Sequence, residues 1–178
     1  MTREIIIAGF GGQGVMSMGK TLVEAGMEEG LEVSWVPSYG PEMRGGTANC
    51  SVVLSDLPVG SPVVNRPTEL IAMNGPSLKR FEPRCRPGAL VLVNSSQALE
   101  KVTRDDLRAF YIPSMEEAAR LGNIKVANMI MLGAYIRATG ALRIETLEKM
   151  LAHIFTGPKA HLVELNIKAL QTGASFVA

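Results

Sequence analysis

An α/β fold is predicted for this chain of 178 residues by three observations. Short apolar runs of strand length alternate with longer segments whose apolar residues recur at helical spacing, the first run ends in a glycine-rich turn that leads into a helix, and the last third is helical throughout. Ile5-Ile6-Ile7-Ala8 forms the first strand, and Val15, Met18, Leu22, Ala25 and Gly26 follow helical spacing to a stop at Gly30. Leu31 to Val36 is a second strand, which completes a βαβ unit. Thr47 to Leu54 alternates Ala48, Cys50, Val52 and Leu54 on one face, as a half-buried strand does, and Ser55-Asp56-Leu57-Pro58 turns the chain after it. Leu70 to Met73 and Ala89 to Val93 are short apolar strands of the kind covered on both faces, followed by Asn74 and Asn94. Ala109 to Ile112 is the last strand, and Ser114 with Glu117 predicts a capping box that opens a helix ending near Gly122. Three helices complete the chain. Val126 to Thr139 stops at Gly140, Ile144 to Phe155 carries Leu147, Met150, Leu151 and Ile154 on one side, and Pro158 to Thr172 stops at Gly173. This order predicts a Rossmann-like sheet, mostly parallel or mixed, with helices at the C-terminal end. No repeat, low-complexity tract or linker divides residues 1–178, which are expected to form a single domain.

Composition narrows the partners. With 47% hydrophobic residues the chain can bury a sizeable core, and its net charge of +1, from 18 basic and 17 acidic residues, offers no field for a nucleic acid or an anionic membrane. No apolar run approaches the ~20 residues that span a bilayer, and the N-terminus enters a strand without a signal pattern, so a cytoplasmic protein is expected. Only Cys50 and Cys85 are present, with no C-x-x-C, which disfavours a disulfide framework, a zinc site and an iron–sulfur cluster held by this chain. Cys50 reads as a small buried hydrophobe, and His153 and His161 as structural or solvated helix residues.

Two glycine-rich segments stand out. Gly9-Phe10-Gly11-Gly12-Gln13-Gly14 is a strand-to-helix turn whose backbone amides suit an anion. Tyr39-Gly40-Pro41-Glu42-Met43-Arg44-Gly45-Gly46 joins two strands and holds Glu42 and Arg44 between a Gly-Pro step and a Gly-Gly pair, costly chemistry for a mere connector. The candidate ligand or interface residues are therefore Gly9, Gly11, Gly12, Gln13 and Gly14, with Tyr39, Gly40, Pro41, Glu42, Arg44, Gly45 and Gly46, and both loops are expected at one edge of one sheet. No residue is assigned a catalytic or metal-binding role.

Two known patterns overlap the first turn. Gly9-x-Gly11-x-x-Gly14 matches the dinucleotide fingerprint, yet the acidic residue expected ~20 positions on is replaced by Ser34, Trp35, Val36 and Pro37. Gly14-Val15-Met16-Ser17-Met18-Gly19-Lys20-Thr21 matches the P-loop pattern, but places Lys20 a turn inside the helix, and the later strands end in Asn74 and Asn94 where a magnesium-binding Asp would stand. A dinucleotide-binding module and a small P-loop phosphotransferase are thus the alternatives to weigh, and Lys20 can equally be a solvated residue near Glu24.

The Gly-x-Gly-Gly-Gln-Gly turn, the segment Pro37 to Gly46 leading into Cys50-Ser51-Val52, the Ser61-Pro62-Val63 stretch and the late Asn166-x-Lys168-Ala169 together resemble the gamma subunit of 2-oxoacid:ferredoxin oxidoreductases. That module also occurs as an internal domain of single-chain pyruvate:ferredoxin oxidoreductase. The resemblance covers nearly the whole chain, and its most specific element is Tyr-Gly-Pro-Glu-x-Arg-Gly-Gly. It implies a three-layer α/β/α domain assembled with alpha, beta and delta-type subunits. Such a complex converts a 2-oxoacid, coenzyme A and oxidised ferredoxin into an acyl-CoA, carbon dioxide and reduced ferredoxin. Thiamine diphosphate with Mg and [4Fe-4S] clusters would reside in the partners. The residues themselves agree, since no Gly-Asp-Gly followed by a spaced Asn is present for thiamine diphosphate and two isolated cysteines cannot supply four thiolates. A chain inactive on its own is expected. Whether its loops meet a coenzyme A phosphate, a carboxylate or a partner loop is left open by the residues.

Overall fold

The computed structural model describes residues 1–38 and 47–177. Its strands are β1 (Thr2–Phe10), β2 (Glu32–Ser38), β3 (Thr47–Ser55), β4 (Glu69–Ala72), β5 (Leu90–Asn94) and β6 (Arg108–Ile112). Its α-helices are α1 (Val15–Glu28), α2 (Gly75–Phe81), α3 (Ser114–Arg120), α4 (Ala127–Thr139), α5 (Ile144–Ile154) and α6 (Leu162–Ser175). The strands form one mixed sheet in the order β2-β3-β1-β4-β5-β6. β1, β4, β5 and β6 run parallel, while β3 is antiparallel to both β1 and β2.

The βαβ unit expected from the first two strands is therefore modified. β2 does not lie beside β1, because β3 returns between them, with Ile7 opposite Cys50 and Trp35 opposite Val52. The same insertion explains why β3 is not half-buried along its length. Ala48 and Cys50 alternate with partly exposed neighbours, but Val52, Val53, Leu54 and Ser55 are all buried. An interior strand covered on both faces has no polar face to show.

Side chains on the two faces of β1 enter separate cores. Ile5 and Ile7 join Met18, Leu22, Cys50, Val52 and Leu54 beneath α1, whereas Ile6 and Ala8 join Val53, Leu78, Phe81 and Cys85 on the α2 side. The layers are unequal. On the second face the described helical cover is α2 and the short 3-10 turn that follows it, while α1 and α4 lie on the first face with α5 and α6 packed against them. From Ala127 to Ile136 every residue of α4 is buried, as a helix clamped between a sheet and another helix must be. Gly133 and Gly173 make that clamp tight, because a Cβ on Gly133 would strike the Leu170 carbonyl and one on Gly173 the Ile130 carbonyl. Gly173 accordingly does not stop α6, which runs on to Ser175; the glycine is there for close approach.

Two helix starts differ from expectation. α2 was not foreseen, since seven residues are too few for a periodicity, although Asn74 caps it by accepting from Ser77 N at 2.9 Å and Pro76 sits in its first turn. At α3 the capping box does not form. Ser114 is already inside the helix and its buried hydroxyl has no partner among the described residues. Ser96 Oγ, arriving from the segment after β5, accepts from Met115 N at 3.0 Å and also bonds Glu116, whose carboxyl that contact holds below its ordinary pKa.

Candidate functional site

The parallel strands β1, β4 and β5 all end at one edge, and the glycine-rich turn lies there. Gly12 and Gly14 have φ of 90° and 77°, left-handed values that favour glycine. Gly9 is required for a different reason: a Cβ there would come within 2.7 Å of both Gln13 Oε1 and Met73 Cβ, so the turn folds back onto the end of β4. Gly14 supplies the start of α1 without a side-chain cap, and no acidic residue stands in the first turn. Among the described residues the N–H groups of Gly11, Gly12 and Gly14 have no protein acceptor. Unpaired amides at a helix start carry a partial positive charge that an anion satisfies.

Three carboxamides hold this turn to the sheet. Gln13 Oε1 accepts from Phe10 N at 2.6 Å and from Asn74 Nδ2 at 3.0 Å, while Gln13 Nε2 donates to Met73 O at 3.2 Å. Asn94 Nδ2 donates to the same Met73 O at 3.1 Å, and Asn94 Oδ1 accepts from Ser96 N at 3.2 Å. Asn74 and Asn94 are fully buried, so each needs these partners.

Beyond the turn opens a cleft of ≈ 380 Å³, with Gly11, Gly12 and Gln13 on one side and Gln97, Lys125 and Asn128 among its other polar residues. Phe10, Met73, Met115 and Ile124 supply apolar walls. Asn128 is buried beneath Gly14, where a Cβ would lie 2.8 Å from its Cγ. Of these residues Gln97, Lys125 and Asn128 escaped sequence reasoning, because they come from segments far along the chain. One signal was available: Lys125 stands just before α4, where a cation opposes the helix dipole, a placement that an anionic ligand would offset.

The other candidate residues, Tyr39, Gly40, Pro41, Glu42, Arg44, Gly45 and Gly46, lie outside the described residues. The residues that flank them belong to the same edge: Thr47 pairs with Phe10, and Ser38 with Asn49.

The overlapping patterns separate clearly. α1 begins at Val15, so the P-loop glycine, lysine and threonine fall within a helix. Gly19 faces Cys50 and Trp35, Lys20 Nζ lies 3.6 Å from Glu24 on an exposed surface, and Thr21 is buried, an arrangement that cannot cradle a triphosphate. For the dinucleotide pattern, β3 displaces β2 from the position beside β1 where the ribose-binding acid would stand. Cys50 and Cys85 lie in different cores on opposite faces of the sheet, with burial pushing their thiols up to about 12 and about 11. They cannot share an iron–sulfur cluster. Among the described residues no three His, Cys, Asp or Glu side chains are grouped to hold a metal ion, and no helix is long and apolar enough to cross a membrane.

Fold and cleft together define an α/β module with a cleft of mixed polar and apolar lining beside a glycine-rich turn, at the carboxyl edge of its parallel strands. Comparison with known proteins places it further. The chain belongs to the pyruvate ferredoxin/flavodoxin oxidoreductase family, whose profile matches residues 4–176. It is 43% identical over 172 residues to the ketoisovalerate oxidoreductase subunit VorA of Methanothermobacter marburgensis, covering 96% of this chain but 35% of that longer protein. It is 34% identical to the 2-oxoglutarate synthase subunit KorC of the same organism, with 99% of this chain and 97% of the relative covered. Among solved structures, the gamma subunit of a keto/oxoacid ferredoxin oxidoreductase from Geobacter sulfurreducens superimposes with a TM-score of 0.84 at 29% identity over 98% of both chains. A 2-oxoglutarate:ferredoxin oxidoreductase from Magnetococcus marinus, with 2-oxoglutarate, coenzyme A and succinyl-CoA bound, matches the fold with a TM-score of 0.90 at 22% identity, over 99% of this chain and 31% of that one.

Proposed function

We propose that this chain is the gamma-type subunit of a multi-subunit 2-oxoacid:ferredoxin oxidoreductase. The complex would cleave the bond between the carbonyl and carboxylate carbons of a 2-oxoacid, join the acyl carbon to the sulfur of coenzyme A, and release carbon dioxide and a proton. The two electrons would pass to ferredoxin. The observation that carries this reading is the correspondence, over nearly all of both chains, with subunits bearing those names. The [4Fe-4S] clusters would belong to alpha, beta and delta-type partners, since the two thiols here lie on opposite sides of the sheet, and thiamine diphosphate with Mg would reside in those partners as well.

Within that complex the cleft at the carboxyl edge would receive a phosphate-bearing part of coenzyme A. Three features support it: the amides of Gly11, Gly12 and Gly14, which have no acceptor among the described residues, a lysine in the lining, and apolar walls for the uncharged stretches of the same molecule. Lys125→Ala should raise the apparent KM for coenzyme A about tenfold, the worth of one charge-assisted contact, with little change in kcat. An unchanged KM would remove coenzyme A from this cleft.

A further inference from the structure

We propose that Asn74 is a positioning residue for the glycine-rich turn, presetting its amides for the phosphate ligand without touching that ligand. This rests on the coenzyme A reading of the cleft. Asn74 is fully buried at the end of β4 and faces two ways. Its Oδ1 caps α2 through Ser77 N, and its Nδ2 donates to Gln13 Oε1. Gln13 Oε1 also takes the Phe10 amide, and Gln13 Nε2 holds Met73 O, which Asn94 grips from β5. The direction of the Gln13 carboxamide is therefore set by its surroundings: its oxygen meets two donors and its nitrogen meets a carbonyl.

Gln13 lies between Gly12 and Gly14, the two positive-φ residues of the turn. Pinning its side chain fixes the backbone on either side, and glycine, the least restrained residue, needs such a pin most. Without the Asn74 donor, Gln13 can rotate its amide and release Phe10 N, and the turn gains alternative conformations. Binding would then include the cost of ordering it. The effect should fall on affinity rather than on turnover.

Serine or threonine at position 74 can keep the helix cap, because either side-chain oxygen accepts from Ser77 N, but each lacks the amide donor to Gln13. In the assembled complex Asn74→Ser should raise the apparent KM for coenzyme A at least fivefold with kcat within twofold of wild type. In a Gln13→Ala background the same substitution should add no further rise, because the pin is already gone. An unchanged KM in Asn74→Ser, or an equal rise in both backgrounds, overturns the proposal. So does failure of both Asn74→Ser and Asn74→Thr to assemble, since Asn74 would then serve the fold alone. Lys125→Ala measured alongside separates two failures. If it raises the KM and Asn74→Ser does not, only the positioning role is wrong; if neither moves the KM, the coenzyme A reading has failed with it.

Discussion

Gly14 and Lys20 stand in the same glycine-rich stretch, yet their environments assign them opposite weights. Gly14 has a left-handed φ and lies against Asn128, so Gly14→Ala adds backbone strain to a steric clash and should destabilise the chain by about 1–3 kcal/mol. Lys20 makes a 3.6 Å surface pair with Glu24, and Lys20→Ala should change stability by less than ~0.5 kcal/mol and leave the activity of the complex intact. Urea midpoints and steady-state turnover of the two variants check this, and a severe loss of activity from Lys20→Ala would restore the P-loop reading. Arg44 is the second residue-scale prediction. A guanidinium offers carboxylates and phosphates a planar two-pronged contact that lysine cannot reproduce. Arg44→Lys should lower turnover of the complex and Arg44→Ala lower it further. A contact with coenzyme A would appear as a raised KM for that substrate, an interface contact as a raised subunit Kd. Wild-type behaviour of both variants would make Arg44 a solvated loop residue.

At the scale of elements, α3 gives a sharp test of where a helix start is encoded. Ser114 with Glu117 satisfies the local capping pattern, but the cap comes from Ser96, outside the helix. Ser96→Ala should cost ~1 kcal/mol. Ser114→Ala should be near neutral, since its hydroxyl has no partner to lose among the described residues. Thermal unfolding of the two variants distinguishes them, and the reverse ranking would restore the local box. The contrast shows what the chain reveals in one dimension. β1, β4 and β5 were legible because an apolar run of strand length has few other uses, and α1 because its buried stripe repeats at helical spacing. Gly173 was misread as a stop because a helix-ending glycine and a close-packing glycine look alike until α4 is seen against it. The glycine turn was legible as a candidate site from its neighbours in sequence. The other polar lining residues, Gln97, Lys125 and Asn128, were not, since only folding brings them to the same cleft.

At the scale of the whole molecule, the alternating order of elements announced an α/β protein, whereas the insertion of β3 between β1 and β2 depends on pairing that no local pattern specifies. That insertion has a functional meaning. It removes the strand adjacency on which the dinucleotide reading depends, yet it sets the start of β3 beside the end of β1 at the edge where the cleft opens. Among the described residues Cys50 and Cys85 lie on opposite faces of the sheet, and in the proposed function partner subunits supply the redox chemistry. The most direct test is anaerobic purification of the complex through a tag on this chain, followed by ferredoxin reduction assays with a 2-oxoacid and coenzyme A, before and after this chain is removed. The expected result is co-purifying chains that carry thiamine diphosphate and iron–sulfur clusters, reduction that requires both substrates, and loss of that reduction without this chain until it is added back. A tagged chain that emerges alone, or reduction by the remaining subunits that is indifferent to its removal, would contradict it.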